Sequence, residues 1–308
     1  MKIVITGALG HIGSSLIKHL PSIFENVELI LIDDLSTLRL GSLFNLPDTG
    51  KFKFYQKDIV KDDLTEIIRG ADALVHLAAI TDAVISFSNP ELVEEVNFIG
   101  LQKVANSCAL LSIPLIFLSS TSVYGSQAEV VDEECKQLLP QSPYADSKLK
   151  AEVYLQKTPD LIQSGFCILR FGTICGISPG MRFHTAVNRF CWQAAVGEEI
   201  TVWKTAYHQK RPYLDLKDAV RAISHVIDKR LYNSNLYNVV SDNYSVSQIV
   251  DFIAARYPES KISFVNSKIM NQLSYEVLSE RFKKTSFHFS GDIGLAIEET
   301  LDTLGNLH

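Results

Sequence analysis

Long apolar runs are missing from this chain of 308 residues. No stretch approaches the roughly 20 apolar residues that span a bilayer, so a membrane-spanning helix is not expected. The opening MKIVITGALG does not read as a signal peptide, because its apolar run is short and glycines break it. Cysteine is scarce: Cys108, Cys135, Cys167, Cys175 and Cys191 are all there is. No pair has CxxC spacing and the number is odd, which argues against a disulfide framework or a zinc site. Reduced and mostly buried thiols are expected, with no metal. Positive charge is not in excess. A net charge of −6 and a pI near 5.8 offer no electrostatic reason to bind nucleic acid or an anionic membrane surface. Internal repeats, low-complexity tracts and long linkers are missing too. With no address label, the cytoplasm is the expected location.

What remains is ordinary globular composition, 46% hydrophobic and 21% charged. The length predicts two lobes or one large α/β unit. In the first half, strand-like runs over 2–6, 27–32, 51–56, 73–78, 115–119 and 166–171 alternate with helical spacing. The helices are expected over 11–20 (ended by Pro21), 63–68, 91–111 and 142–156. Alternation of this kind argues for a parallel sheet covered on both faces, and the apolar strands LILI, ALVHLA and LIFL fit burial on both sides. Beyond Gly172 the pattern loosens. Helices are expected over 185–196, 216–228 and 246–256, with strands over 200–203 and 236–240. The stretch 268–284 is ambiguous.

MKIVITGALGHIGSSLIKHL places Gly7, Gly10 and Gly13 between a strand and a helix. One glycine permits a tight turn, one lets backbone approach a pyrophosphate, and one lets helix and strand pack closely, with the helix N-terminus facing the phosphate charge. About 20 residues further on, LILIDDLS carries Asp33 and Asp34 at the end of a strand. A carboxylate there accepts hydrogen bonds from an adenosine ribose and repels a 2′-phosphate, which favours NAD over NADP.

SPYADSKLKAE places Tyr144 and Lys148 one helical turn apart on one face. A phenol with a pKa of about 10 is a poor base at neutral pH. A neighbouring ammonium favours the phenolate, so the pair suits proton transfer on a sugar hydroxyl. FLSSTSVYG runs from a strand into Ser119, Ser120, Thr121 and Ser122, and Ser120 falls at the strand end, where parallel sheets present ligands.

Taken together, the chain resembles the extended short-chain dehydrogenase/reductase superfamily in its NAD-dependent nucleotide-sugar epimerase and dehydratase branch. The resemblance rests on ITGALGHIG, LIDDLS, Asp58-Ile59, LVHLAA, NFIGLQKV, FLSSTSVYG, SPYADSKLKAE, LRFGTICG, QKRPYLDLKDAVRAI and YNVVS, in the family's order over roughly 1–245. It implies a Rossmann-type doubly wound sheet over 1–171, with 212–240 returning to it. A smaller C-terminal α/β substrate lobe would comprise 172–211 and 241–308. It implies NAD held by Gly7, Gly10, His11, Ile12, Gly13, Asp33, Asp34, Asp58, Ile59, Leu77, Ala78, Ala79, Asn97, Ser119, Tyr144, Lys148 and Phe171. Ser120, Tyr144 and Lys148 would be the catalytic triad. A nucleotide-diphosphate sugar would meet Thr81, Ser120, Thr121, Ser122, Thr173, Arg182, Asn188, Trp203, Arg211 and Tyr275, with Arg211 on the phosphates. The family usually forms homodimers through a four-helix bundle, here from 91–111 and 142–157.

Three departures bear on function. Family dehydratases carry an Asp-Glu pair where Thr121 and Ser122 stand. Decarboxylases have a glutamate, and C3/C5 epimerases often a cysteine, at the place of Ser122. Thr173 replaces a common asparagine, and Thr205-Ala206-Tyr207 replaces a glycine-aspartate-glycine turn. The expected activity is inversion at C4 through a transient 4-keto sugar. Alternatives are a 4-dehydrogenase, a 2-epimerase, or a 4,6-dehydratase drawing its acid and base from groups such as His184, Glu133 or Cys175. More remote is a non-catalytic NAD-binding regulator.

Overall fold

The computed structural model describes residues 1–82, 85–125, 130–266, 275–305 and 307. Among the described residues, fourteen strands follow in chain order. They are β1 (Lys2–Thr6), β2 (Glu28–Asp33), β3 (Lys51–Gln56), β4 (Ala73–His76), β5 (Leu115–Ser120), β6 (Val130–Val131) and β7 (Phe166–Phe171), then β8 (Thr173–Cys175), β9 (Ile200–Trp203), β10 (Lys210–Asp215), β11 (Asn235–Val239), β12 (Asp242–Ser245), β13 (Ile262–Val265) and β14 (Glu276–Val277).

Seven of these form one parallel sheet in the order β11-β7-β5-β4-β1-β2-β3. Its strands are apolar on both faces for a packing reason. Ile3 and Ile5 face Leu16, Leu20 and Ile223, from the His11–Ile23 and Leu216–Asp228 helices. Val4 between them faces the opposite core, built with Leu101, Val104 and Leu155. Those come from the Gly100–Leu110 and Pro143–Lys157 helices. Successive side chains on a strand point to opposite faces, so both sides need cover. The chain leaves β1 toward β2 and β3, then crosses to β4 on the other flank of β1. The carboxyl ends of β1 and β4 therefore bound the crevice where such sheets bind ligands.

A second group is smaller. β12, β10 and β8 pair with one another, as do β13 and β9. They pack with the Ala186–Ala195, Val246–Arg256 and Ile293–Leu304 helices around Val202, Ile249 and Ile297.

Several elements differ from the sequence expectation. The first helix passes through Pro21 and ends at Ile23. The helix expected over 91–111 is three pieces: Pro90–Glu94, a π-helical Glu95–Ile99, and Gly100–Leu110. The strand expected over 73–78 stops at His76, and Leu77–Ala79 line the crevice beyond its end. Of the ambiguous stretch 268–284, residues 268–274 lie outside the described residues. The rest forms β14 and a short Glu280–Lys283 helix.

Candidate active site

At the carboxyl end of β1 the chain makes its glycine turn. Gly7 has φ +66°, and a Cβ there would sit 2.6 Å from the Ala78 backbone nitrogen. A Cβ on Gly13 would lie 2.5 Å from the Ala8 carbonyl oxygen. No larger residue fits either place without moving backbone, so the turn is pressed flat between β1, β4 and the helix that follows. Gly10 caps that helix, and the first-turn N–H groups open into a cleft of about 310 Å³. A turn this close to the sheet leaves a cradle that suits a dinucleotide pyrophosphate.

The cleft brings together most of the expected cofactor contacts: Gly7, Gly10, His11, Ile12, Gly13, Asp33, Asp34, Asp58, Ile59, Leu77, Ala78 and Ala79. Asp33 accepts hydrogen bonds from the Leu9 and Leu35 amides, both at 3.0 Å. Burial raises its pKa, and those two bonds oppose the rise. Its carboxylate thus ties the glycine turn to the end of β2 while facing the cleft. His11 Nε2 lies 2.9 Å from the Gly176 carbonyl. A carbonyl only accepts, so Nε2 carries the proton. Burial lowers the pKa to about 4, which keeps the ring neutral. The sequence reading missed Arg39, Lys57 and Glu95, which also line the cleft. Arg39 and Lys57 sit in loops that no local pattern singles out.

Asn97 is not on the cleft wall. It is buried in the π-helical segment, where its carboxamide takes the Ile80 amide at 2.8 Å and gives to the Ile80 carbonyl at 2.9 Å. It also donates to Ser147 Oγ at 3.1 Å. Its place is to brace the loop after β4 against the Pro143–Lys157 helix. Ser119 is likewise turned away, donating to Glu152. Phe171 is buried at the end of β7, where its carbonyl accepts from Thr121 at 3.3 Å.

Tyr144 and Lys148 fall one turn apart on the Pro143–Lys157 helix, which Ser142 caps by accepting from the Ala145 amide at 3.1 Å. Ser120 ends β5, and its side chain accepts from the Ser122 amide at 3.1 Å. Burial raises the Tyr144 pKa, and the nearby Ser120 hydroxyl and the charge of Arg182 pull the other way. Lys148 donates to the Leu118 carbonyl at 2.8 Å, and its nitrogen lies 6.0 Å from the Tyr144 ring centre. Burial pulls Lys148 down to about 7, Glu152 works to raise it, and Arg182 adds to the fall. The expected help from the lysine therefore comes from a group that is itself close to losing its proton. Ser120 and Tyr144 can together hold a hydroxyl and take up its proton, with the Lys148 charge behind the phenol ring.

The other expected residues divide. Arg182 lines the cofactor cleft as well as reaching Thr81, to whose hydroxyl it donates. Asn188 is fully buried and donates to the Arg182 carbonyl at 2.8 Å. Tyr275 is also buried; its hydroxyl donates to the Thr121 carbonyl at 2.9 Å, so it props the rim from below. Thr173 opens β8, Trp203 closes β9, and Arg211 stands on β10 with its Nη2 3.4 Å from Gln209 Oε1. Burial lowers the Arg211 pKa. Among the described residues, Ser122 Oγ, Ser178 Oγ, Arg182 Nε, Thr185 Oγ1, Asn188 Oδ1 and Arg189 Nε are buried without a hydrogen-bond partner. Buried polar atoms are rarely left so, and of these residues Arg182 lines the cleft. Two of the alternative acid–base groups are spent. Glu133 accepts from the Asn238 amide at 2.7 Å, and Cys175 is fully buried in the smaller core.

Comparison with known proteins gives the same picture. The profile of the NAD-dependent epimerase/dehydratase family matches residues 3–239. An uncharacterised UDP-glucose epimerase of Bacillus subtilis is 30% identical over 265 residues, 82% of this chain and 81% of that one. A UDP-glucose 4-epimerase of Mycolicibacterium smegmatis is 33% identical over 159 residues, half of each chain. Among solved structures, the UDP-glucuronic acid 4-epimerase of Bacillus cereus, in complex with UDP-glucuronic acid and NAD, superposes with a TM-score of 0.89. That match has 22% identity and covers 99% of each chain.

Proposed function

Because the chain belongs to the NAD-dependent epimerase/dehydratase family, and so is an NAD-dependent enzyme acting on nucleotide sugars, we propose that it inverts C4 of a nucleotide-diphosphate sugar. The observation that carries this reading is the rim of the site. Ser120, Thr121 and Ser122 offer hydroxyls only, and neither a carboxylate nor a thiol stands beside Tyr144 at those places. Elimination of water and proton abstraction at C3 or C5 need such a group; oxidation and reduction at one carbon do not.

The residues divide the work as follows. The cleft from Gly7 to Ala79 would hold NAD, which would supply the acceptor and donor for the hydride. Ser120 holds the C4 hydroxyl against Tyr144. Tyr144 takes the hydroxyl proton as the carbon is oxidised and gives it back once the 4-keto sugar has presented its other face. Lys148 keeps the phenol oriented and favours its ionised form. Arg211 and Arg182 suit the diphosphate and the sugar's polar groups. Residues 1–171 with 212–240 would form the cofactor half, and 172–211 with 241–308 the substrate half.

Two further proposals concern the whole molecule. Leu92, Ile99, Leu110 and Val153 leave apolar surface on the 90–110 and 143–157 helices, which supports a homodimer through a four-helix bundle. Light scattering should give twice the chain mass, and Val153→Arg should return the monomer. All five cysteines are free thiols, in keeping with a reducing cytoplasm. Among the described residues no helix is long and apolar enough to cross a membrane.

The direct test uses purified protein, a panel of UDP- and dTDP-sugars and no added cofactor. Unchanged product mass with C4 inversion supports the proposal, provided Tyr144→Phe abolishes it. Loss of water would mark a dehydratase, and loss of two hydrogens with accumulating NADH a dehydrogenase.

A further inference from the structure

Beneath Ser120, Tyr144 and Lys148 lies a second polar cluster. Glu152 stands one turn beyond Lys148 on the same helix, with 2% of its side chain exposed. Arg170 of β7, 4% exposed, is the register partner of Ser119 on β5. Arg170 Nε and Nη2 donate to the two Glu152 oxygens at 2.9 and 2.6 Å. That is the forked geometry of a strong pair. The Ser119 hydroxyl donates to the same carboxylate. On its other side, the Arg170 guanidinium lies 4.8 Å from the Tyr124 ring.

Burying two ions is expensive, and well-packed apolar residues often do as well for stability. Stability is therefore a poor reason for this pair to exist. Its position offers a better one. It ties the end of β5, which carries Ser120, to the helix that carries Tyr144 and Lys148.

We propose that Glu152 is a positioning residue: Arg170 and Ser119 fix its carboxylate beside Lys148, where its charge holds that lysine in the cationic form. This rests on the reading of Lys148 as a partner of Tyr144. Among the described residues these charged or titratable groups bear on Lys148, with the Arg170 cation behind the Glu152 carboxylate. Glu152 on its own helix favours the ammonium, and Arg182 from the loop after β8 opposes it. His76 of β4 interacts with Lys148 and is kept neutral, mainly by burial. Tyr144 carries a phenol raised by burial. Lys148 lies at about 7 with the Glu152 charge already in place, so loss of that charge would tip it toward the amine near neutral pH.

The test follows Lys148 directly. Protein labelled with 15N at lysine side-chain nitrogens is titrated by NMR, and the Lys148 signal is assigned by its loss in Lys148→Met. Glu152→Gln keeps the reach and one acceptor oxygen but removes the charge. Lys148 should then titrate about one pH unit lower, leaving roughly a tenfold smaller ammonium-to-amine ratio at a given pH. Glu152→Asp keeps the charge but shortens the reach, and should titrate close to wild type. A purely structural role predicts the reverse order, because the shorter side chain disturbs packing more. Should the Gln variant fold poorly, Glu152→Gln with Arg170→Gln leaves no unpaired ion and is read against Arg170→Gln alone, so that the Glu152 charge is again the only difference and the Lys148 midpoint should again be lower without it. An unshifted midpoint in the Gln variants, or a larger shift in Glu152→Asp than in Glu152→Gln, would overturn the proposal. The titration needs no turnover, so its outcome stands apart from whether the enzyme inverts C4.

Discussion

Lys148 is a cation held where water does not reach it, 4% exposed and drawn down to about 7. In the unfolded chain a lysine titrates near 10.4. Between those two values the unfolded chain binds the extra proton, so this group's contribution to stability rises as pH climbs from about 7 to about 10. Below 7 the cost of burying the charge is fully present. Lys148→Met should therefore stabilise the fold while abolishing turnover. The gain should be about 1–3 kcal/mol near pH 7, at about 1.4 kcal/mol per pKa unit less the lost bond to Leu118, and should shrink toward pH 10. Urea unfolding at the two pH values measures it. The residues of this group were legible in the sequence because Tyr144 and Lys148 are spaced by one turn and Ser120 ends a strand. Glu152 and Arg170 were passed over, though each sits inside a quoted motif. The signal was an arginine in the otherwise apolar FCILRF, a charge that burial obliges to find a partner.

At the scale of elements, the π-helical segment Glu95–Ile99 stands out. Such bulges are rare and recur at functional sites. Here the wider turn carries Asn97, whose three bonds brace the Ile80 backbone and Ser147. Asn97→Ala should leave the Ile80 amide and carbonyl short of partners at a cost of about 1–3 kcal/mol. It should weaken NAD binding several-fold without touching the cofactor, and calorimetric titration with NAD checks this. The sequence predicted one continuous helix here, since hydrophobic spacing does not reveal a single widened turn. The glycine turn after β1 was readable because its logic is local: strand, three glycines, helix. β8, β10 and β12 were not. They are three to six residues long, carry Arg211 and Pro212, and exist through pairings far apart in sequence. The Ile293–Leu304 helix was passed over despite an Asp292 cap and buried Ile293, Ile297 and Leu301, a spacing the sequence did contain.

For the molecule as a whole, acid is the predicted weakness. His11 and His184 are lowered to about 4 and His76 to about 3, in each case chiefly by burial. An unfolded histidine titrates near 6.5. As pH falls below that value the unfolded chain takes up protons the fold refuses, so stability is lost from about pH 6.5 downward. Asp33, Glu133 and Asp215, whose pKa values burial raises, act in the opposite sense nearer pH 4. The loss should be clearest between about 6.5 and 5, as a falling urea midpoint. His11→Gln, which keeps a donor for Gly176, should flatten that slope.

The central claim is that hydride leaves and returns to C4 with no carbon-bound proton exchanged with solvent. Conversion of a UDP-hexose by the purified protein in D2O, followed by NMR and mass spectrometry of the product, tests it most directly. The account predicts a C4 epimer of unchanged mass, with protium at every ring carbon and no added NAD required. Deuterium at C3 or C5, a product lighter by one water, or stoichiometric NADH would contradict it.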